Sequence, residues 1–342
     1  MRRELGAGEA REWWSRRDFL KVAGVLGAMA MAHRAAAQIP AATSDPRLVG
    51  AIDMHIHAAP DVAARSVNDF ELAQRAKEMG MRGIVIKNHE FITNDRAYLV
   101  RQVVPGIEVF GGIVLNYSVG GLNPVAVERM IRFTGGYGKI VWLPTFDAAH
   151  HKFFFTKKPD AGGIRVIDDG GKVLPELRKI LRVLAKADII LATGHVSPQE
   201  VLAAVQAARE EGVRRIVISH AMYSPGEMSL EDMRRCVEMG AFIEHAYVAN
   251  LAGPQALQEW MRSWRHISME MYAQAIKALG AEHCILCTDL GQYMNPTPAD
   301  GMLEFIRGLS KQGINEEEFS WMIRKNPTRL LGLEPLSDSS SG

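Results

Sequence analysis

Val49-Gly50-Ala51-Ile52-Asp53-Met54-His55-Ile56-His57 is the stretch on which the reading of the chain turns. From Ile52 onward apolar and polar residues alternate, the period of two that marks a strand. Ideal alternation puts Asp53, His55 and His57 on one face. Ile52, Met54 and Ile56 then share the opposite face, where they would pack against outer helices.

Seven more runs of this kind follow: Gly83–His89, Val109–Asn116, Lys139–Asp147, Asp188–Val196, Arg215–Met222, Gly240–Val248 and Cys284–Gly291. Helical patterns separate them. Ser197-Pro198-Gln199-Glu200 supplies a Ser N-cap, Pro at the first helical position and a Glu that closes a capping box. Ser66 to Met79 spaces Phe70, Ala73 and Ala76 on one face and stops at Gly80. Leu177 to Ala187 and Leu230 to Met239 repeat the pattern before the fifth and seventh strands. Eight strands alternating with helices predict an α/β fold, a parallel (β/α)₈ TIM-type barrel. The competing doubly wound sheet would begin with a glycine-rich phosphate turn after its first strand, and none is present. The barrel is expected to span residues 46–335 as a single domain, with a frayed tail at 336–342. One connection is long. His150 to Leu174 follows the fourth strand and contains Phe153-Phe154-Phe155 and an Asp168-Asp169-Gly170-Gly171 turn. Ile164–Ile167 and Lys172–Leu174 could pair there as a hairpin. The insertion reads either as a lid over the mouth or as a decorated surface loop.

The first forty residues read as an address. Ser15-Arg16-Arg17-Asp18-Phe19-Leu20-Lys21 matches the twin-arginine export consensus, and an apolar run, Val22 to Ala32, leads to Ala35-Ala36-Ala37. That run is about 11 residues, short of the roughly 20 needed for a stable membrane span. Residues 1–37 are therefore expected to be a cleaved signal peptide, read by the twin-arginine machinery and directing the protein to the periplasm or beyond. The chain of 342 residues carries 40 Lys and Arg against 39 Asp and Glu, a formal charge of +1. Seven of those basic and four of those acidic residues lie in the signal, so the mature charge becomes −2. Neither value suits a nucleic-acid partner. The ordinary composition excludes collagen-like, disordered and multi-span membrane classes. Three cysteines cannot build a disulfide framework. Cys284 and Cys287 sit in an apolar run and read as small buried hydrophobes.

Histidines concentrate where the strands end. His55, His57, His89, His195, His220 and His245 fall at predicted C-terminal ends, and His150 and His151 follow the fourth. In a parallel barrel those ends open onto one face, so residues distant in sequence converge. Two imidazoles of an H-x-H strand face can bind one borderline ion such as zinc. His195, His220 and Asp289 at later strand ends strengthen that reading.

His55-x-His57, His195, His220 and Asp289 at the ends of strands one, five, six and eight resemble the amidohydrolase superfamily. The likeness extends to Asn326-Pro327-Thr328-Arg329-Leu330-Leu331-Gly332-Leu333. More closely, Thr193-Gly194-His195-Val196-Ser197-Pro198 and Thr288-Asp289-Leu290-Gly291-Gln292 resemble an amidohydrolase-like family of unknown function, which brings no substrate. The resemblance implies a divalent metal, zinc first and manganese or iron as alternatives, held by His55, His57 and Asp289 with His195 completing or extending the site. Such an ion lowers the pKa of water toward about 7, giving hydroxide at neutral pH. It further implies Asp289 as general base and then acid. His220 would polarise a substrate carbonyl or bind a second metal.

Strand four departs from the two-metal pattern, in which a carboxylated Lys or a Glu bridges the ions. Ile140-Val141-Trp142-Leu143-Pro144-Thr145-Phe146-Asp147 has neither, so one ion is expected. Lys87 shares a strand face with His89 and should point inward, where an unpaired ammonium is costly. It would neutralise a substrate carboxylate, pair with Glu90 or Asp53, or be carboxylated. Asp147, His150 and Glu244 are weaker substitutes for the bridge. The expected activity is hydrolysis of an amide, lactone or ester of a small molecule. The alternative on the same site is decarboxylation or hydration, with Lys87 and Arg65 or Arg96 as carboxylate clamps. A phosphoesterase of the polymerase-and-histidinol-phosphatase type would have seven strands, not eight. An exported metal- or ligand-binding protein without turnover would be expected to lack the acid/base Asp. Homo-oligomerisation, common among barrels, is left open.

Overall fold

Eight parallel strands run in chain order around the computed structural model, which describes residues 45–335. They are β1 (Ile52–Ile56), β2 (Gly83–Ile86), β3 (Glu108–Val114), β4 (Gly138–Trp142), β5 (Ile190–Ala192), β6 (Ile216–Ile218), β7 (Phe242–Ala246) and β8 (Cys284–Cys287). Each pairs in parallel with the next. Past their ends the first and last strands meet: His57 N–H donates to the Leu290 carbonyl at 2.8 Å and Asp289 N–H to the His55 carbonyl at 2.8 Å. This is the (β/α)₈ barrel that the alternation predicts. The signal peptide and the tail at 336–342 lie outside the described residues.

Glycine makes the closure possible. Gly291 has φ of 128°, and a Cβ there would lie 1.8 Å from the His57 carbonyl oxygen. Only a residue without a side chain lets the two backbones approach so closely.

The helices are α1 (Asp69–Glu78), α2 (Asn94–Val103), α3 (Pro124–Ile131), α4 (Ala149–Thr156), α5 (Pro175–Ala187), α6 (Pro198–Glu210), α7 (Leu230–Glu238), α8 (Val248–Leu251), α9 (Met269–Leu279), α10 (Pro298–Ser310), α11 (Glu316–Ser320) and α12 (Asn326–Leu331). Among the described residues no helix is long and apolar enough to cross a membrane. The Ser197–Glu200 capping box forms at the start of α6 as its sequence predicts. Helix α1 begins later than its pattern suggests, because Asn68 is the better cap: its side chain accepts from Phe70 and Glu71 N–H. Phe70 is consequently exposed, and Leu72, Ala73 and Ala76 form the buried face. In α5, Leu177, Ile180, Leu181 and Leu184 are fully buried, each contributing about 1.5–3 kcal/mol.

The interior is one apolar cluster with members from every strand, including Val85, Phe110, Trp142, Ile190, Val217, Phe242 and Ile285. Leu330 and Leu331 of α12 belong to the same cluster. Ile52 and Met54 also join it, which corrects the expectation that they face the helices. The cause is a bulge. Asp53 pairs with Ile84 but Ile56 pairs with Ile86, so β1 spends three residues where β2 spends two. Met54 and the following His55 therefore both project inward, while Ile56 joins the outer core. Asp53 leaves the histidine face and ties β1 to β8, accepting from Thr288 Oγ1 at 2.5 Å and from Thr288 N–H at 3.2 Å.

The insertion after β4 is partly ordered as predicted. Phe153-Phe154-Phe155 lie in α4, and Asp168 N–H donates to Lys172 O at 2.8 Å beside an antiparallel Ile167–Val173 bridge.

Candidate metal centre

Strand ends that leave the extended conformation build the site. Gly194 after β5 has φ of 60°, His220 after β6 has 30° and Asp289 after β8 has 50°. Left-handed backbone is costly for His and Asp and persists only where surrounding contacts enforce it. Here it turns His220 and Asp289 back over the barrel mouth. Lys87 and His89 need no such turn, since alternation carries them inward past β2.

The convergence is tight. Asp289 Oδ1 lies 3.0 Å from His55 Nε2 and 3.1 Å from His57 Nε2. One ligand atom from each of these three buried residues lies within 4.8 Å of the others. His55 Nδ1 is 2.8 Å from Glu244 Oε1, which also accepts from the His220 backbone N–H at 3.2 Å. Lys87 Nζ is 2.9 Å from His55 Nε2 and 5.6 Å from the Trp142 ring centre. It pairs with neither Glu90 nor Asp53. The ring of His220 lies 5.9 Å from that of His55 and 4.9 Å from that of His195. Neither of its ring nitrogens, both buried, has a hydrogen-bond partner among the described residues. His89 stacks on His57 at 4.8 Å, and its Nδ1 is 2.8 Å from Thr145 Oγ1.

Two carboxylates buried in this ring call for positive charge. Burial opposes a charged His55 and so does Lys87, but Asp289 and Glu244 outweigh both and raise its pKa to about 9. Burial likewise opposes the Asp289 carboxylate, yet His55 and His57 hold it well below the usual range. Burial drives His57, His89 and His195 well below the ordinary imidazole value and His220 to about 4. Neutral imidazoles offer lone pairs to a metal. Two imidazoles and a carboxylate around one point, with unpartnered His220 nitrogens nearby, fit a borderline divalent ion. Glu244 on His55 Nδ1 orients the ring so that Nε2 faces Asp289 and Lys87, the arrangement in which Nε2 would ligate such an ion.

Three sequence candidates, Asp147, His150 and Arg96, stand apart. Asp147 accepts from Tyr117 N–H at 2.9 Å and pairs with Lys152 at 3.0 Å. His150 Nε2 is 2.8 Å from the Pro225 carbonyl, whereas its neighbour His151 turns inward, its Nδ1 2.9 Å from His195 Nδ1. His245 faces outward, its ring 5.6 Å from that of Tyr272. Arg96 is held by Asp69 and the Ala58 carbonyl.

A cavity of about 360 Å³ lies above the cluster, bounded by His57, His89, His195 and Asp289 below. Arg65, Phe146, Tyr223, Trp260 and Trp264 form other parts of its wall. The turn between β4 and the insertion contributes Phe146, and the insertion itself, through α4, only Phe155 stacked on Trp264 at 5.0 Å. Most of the cover comes instead from the loop after β1 and the segment after β7. Tyr223, whose hydroxyl donates to Asp289 Oδ2 at 3.4 Å, was not among the residues the sequence singled out. Nor were Trp260 and Trp264, which lie in and just after a short 3₁₀ helix, Glu259–Ser263, in the connection after β7. His151 carried a signal, its place beside His150, but not its direction.

Solved structures share this fold. The organophosphorus hydrolase from Deinococcus radiodurans is 17% identical with a TM-score of 0.52, covering 83% of this chain and 93% of that one. An amidohydrolase from Pseudomonas aeruginosa is 12% identical at 0.52, covering 82% and 95%. A probable 2-pyrone-4,6-dicarboxylic acid hydrolase from Acinetobacter baumannii is 14% identical at 0.51, covering 83% and 100%. At such identities the likeness is one of fold. No curated protein sequence matches the chain. A twin-arginine translocation signal model matches residues 15–33, marking a protein exported to the periplasm or secreted. The model of the family of unknown function DUF6282 matches residues 50–244, more than half the chain, and the protein belongs to that family.

Proposed function

We propose that the protein is a metal-dependent hydrolase that cleaves an amide, lactone or ester of a small molecule after export. The observation that carries this reading is the meeting of His55 Nε2 and His57 Nε2 at one oxygen of Asp289. All three fold neighbours named above are hydrolases by name, which supports the same class. In this reading residues 1–37 are removed, and residues 46–335 form one catalytic domain.

His55, His57 and Asp289 would hold one divalent ion, zinc by preference, with His195 beside it. When bound, the ion supplies Lewis acidity and lowers the pKa of water. Asp289 takes the proton of the attacking water and returns it to the leaving group. Tyr223 steadies the Asp289 oxygen that does not face the histidines. His220, neutral and without a hydrogen-bond partner among the described residues, donates a ring N–H to the scissile carbonyl oxygen as negative charge develops there. Lys87 argues for a single ion. Its amine already lies against His55 Nε2, and the end of β4 offers no bridging carboxylate.

Elemental analysis of the mature protein, with activity followed through chelation and reconstitution, tests the proposal. About one divalent ion per chain, with hydrolysis lost on chelation and regained on loading, is the expected result. Retention of hydrolysis in metal-free protein would overturn it.

A further inference from the structure

Arg65 lines the cavity, and the Asp61 carboxylate takes only part of its guanidinium. Asp61 Oδ2 accepts from Nε at 2.8 Å and lies 2.7 Å from Nη2, while Nη1 has no hydrogen-bond partner among the described residues. The Arg65 side chain is 7% exposed and that of Asp61 1%, so the pair is a built element of the wall. Nη2 also lies 3.4 Å from His57 Nδ1, a long contact. If His57 ligates through Nε2, its proton resides on Nδ1 and cannot accept from Arg65. That leaves Nη1 and the second Nη2 N–H of this cavity-lining guanidinium without a protein acceptor among the described residues, a fork that carboxylates fit.

Beside alanine and glutamine side chains, the wall carries the aromatic rings of Phe146, Tyr223, Trp260, Trp264 and Tyr293. Phe146 stacks on His89 at 4.0 Å and still remains 42% exposed. Trp260 meets Trp264 edge-on at 5.2 Å and is 46% exposed. Large aromatic rings left open around a concave site gain stability by covering a planar ligand. A cavity of about 360 Å³ is near the lower limit for small-molecule sites and suits one ring with its substituents.

We propose that the substrate is an aromatic carboxylate of one ring, its carboxylate on Arg65 and its ring against Phe146 and Trp260. This rests on the hydrolase reading for the cleaved group, an ester, lactone or amide elsewhere on the ring. The carboxylate itself is a handle for binding.

Benzoate, benzamide and cyclohexanecarboxylate, titrated into the mature metal-loaded protein by calorimetry and tryptophan fluorescence, test it. Benzoate should bind saturably, with benzamide and cyclohexanecarboxylate each at least about tenfold weaker. Arg65→Met should weaken benzoate about tenfold or more and leave benzamide unchanged. Should loss of the Asp61 partner unfold that variant, the double change Asp61→Asn with Arg65→Met removes both charges of the buried pair and should show the same loss. Absence of saturable benzoate binding, or equal affinity for benzamide, overturns the proposal. So does benzoate binding that disappears on chelation but ignores both Arg65 variants, since the carboxylate would then sit on the ion. Monomethyl phthalate separates the two readings. Benzoate binding that meets every expectation, without turnover of this ester, defeats the hydrolase and leaves the ligand class standing. Turnover of neutral acyclic esters without benzoate binding does the reverse.

Discussion

Glu244 Oε1 and His55 Nδ1 lie 2.8 Å apart, fully buried, at the centre of the barrel mouth. This contact joins β7 to β1 past the intervening β8 and sets the ring orientation that turns His55 Nε2 toward Asp289. The His220 backbone N–H also donates to Glu244, so one carboxylate organises two strand ends. Glu244, which the sequence offered as a bridging candidate, is here the partner of a histidine. Glu244→Gln should keep the fold while lowering metal affinity by about 10–100-fold. Competition with a chromophoric chelator measures it, and unchanged affinity would remove Glu244 from the centre.

Asp289 should matter for both ion and proton. Asp289→Asn is expected to reduce kcat by about 10²–10⁴ even when metal is supplied in excess. Its circular dichroism spectrum should match the parent. Full turnover by the metal-saturated variant would contradict the proton-transfer role.

Gly291 governs barrel closure rather than chemistry. Gly291→Ala drives a methyl into the His57 carbonyl at a left-handed position. It should cost about 3 kcal/mol or more and lower the midpoint of urea unfolding. A midpoint within error of the parent would mean that the segments following β1 and β8 are not packed as described.

His245 gives a stability signature in pH. Its ring nitrogens are buried without partners among the described residues, and burial pushes its pKa down to about 4 despite the adjacent Glu244. In the unfolded chain the value is about 6.5, so protonation favours unfolding. The stability this group allows is complete above about 6.5 and falls as pH drops toward 4, by about 1.4 kcal/mol per unit for one proton. His245→Phe should flatten the decline of unfolding free energy between pH 6.5 and 4. An unaltered slope would show that His245 does not take up a proton on unfolding.

The export address is testable by itself. Replacing Arg16 and Arg17 by Lys should leave folded protein in the cytoplasm, detected by cell fractionation. Undiminished export of that variant would argue against the twin-arginine route.

Much of the fold was legible because strand alternation and helix caps are local. Ser197 and Glu200 cap α6 through contacts three residues apart, and Lys87 and His89 follow the plain period of β2. The face of Met54 was not legible. The bulge in β1 arises from its register with β2, a relation between segments about thirty residues apart in sequence. Within the site, His55, His57, His195, His220 and Asp289 showed themselves by type and by position at strand ends. Asp147 and His150 had the same credentials, yet nearby backbone groups and Lys152 claim them.

Sequence alone therefore determined the export signal, the eightfold strand–helix alternation and the set of histidines at the strand ends, all properties of short contiguous stretches. Tertiary structure decided which of those side chains meet. It turned His151 toward His195, set Glu244 behind His55, raised Tyr223 to Asp289 and roofed the mouth with Trp260 and Trp264. These contacts depend on loop paths and left-handed turns that packing imposes, and no periodicity within a segment records them.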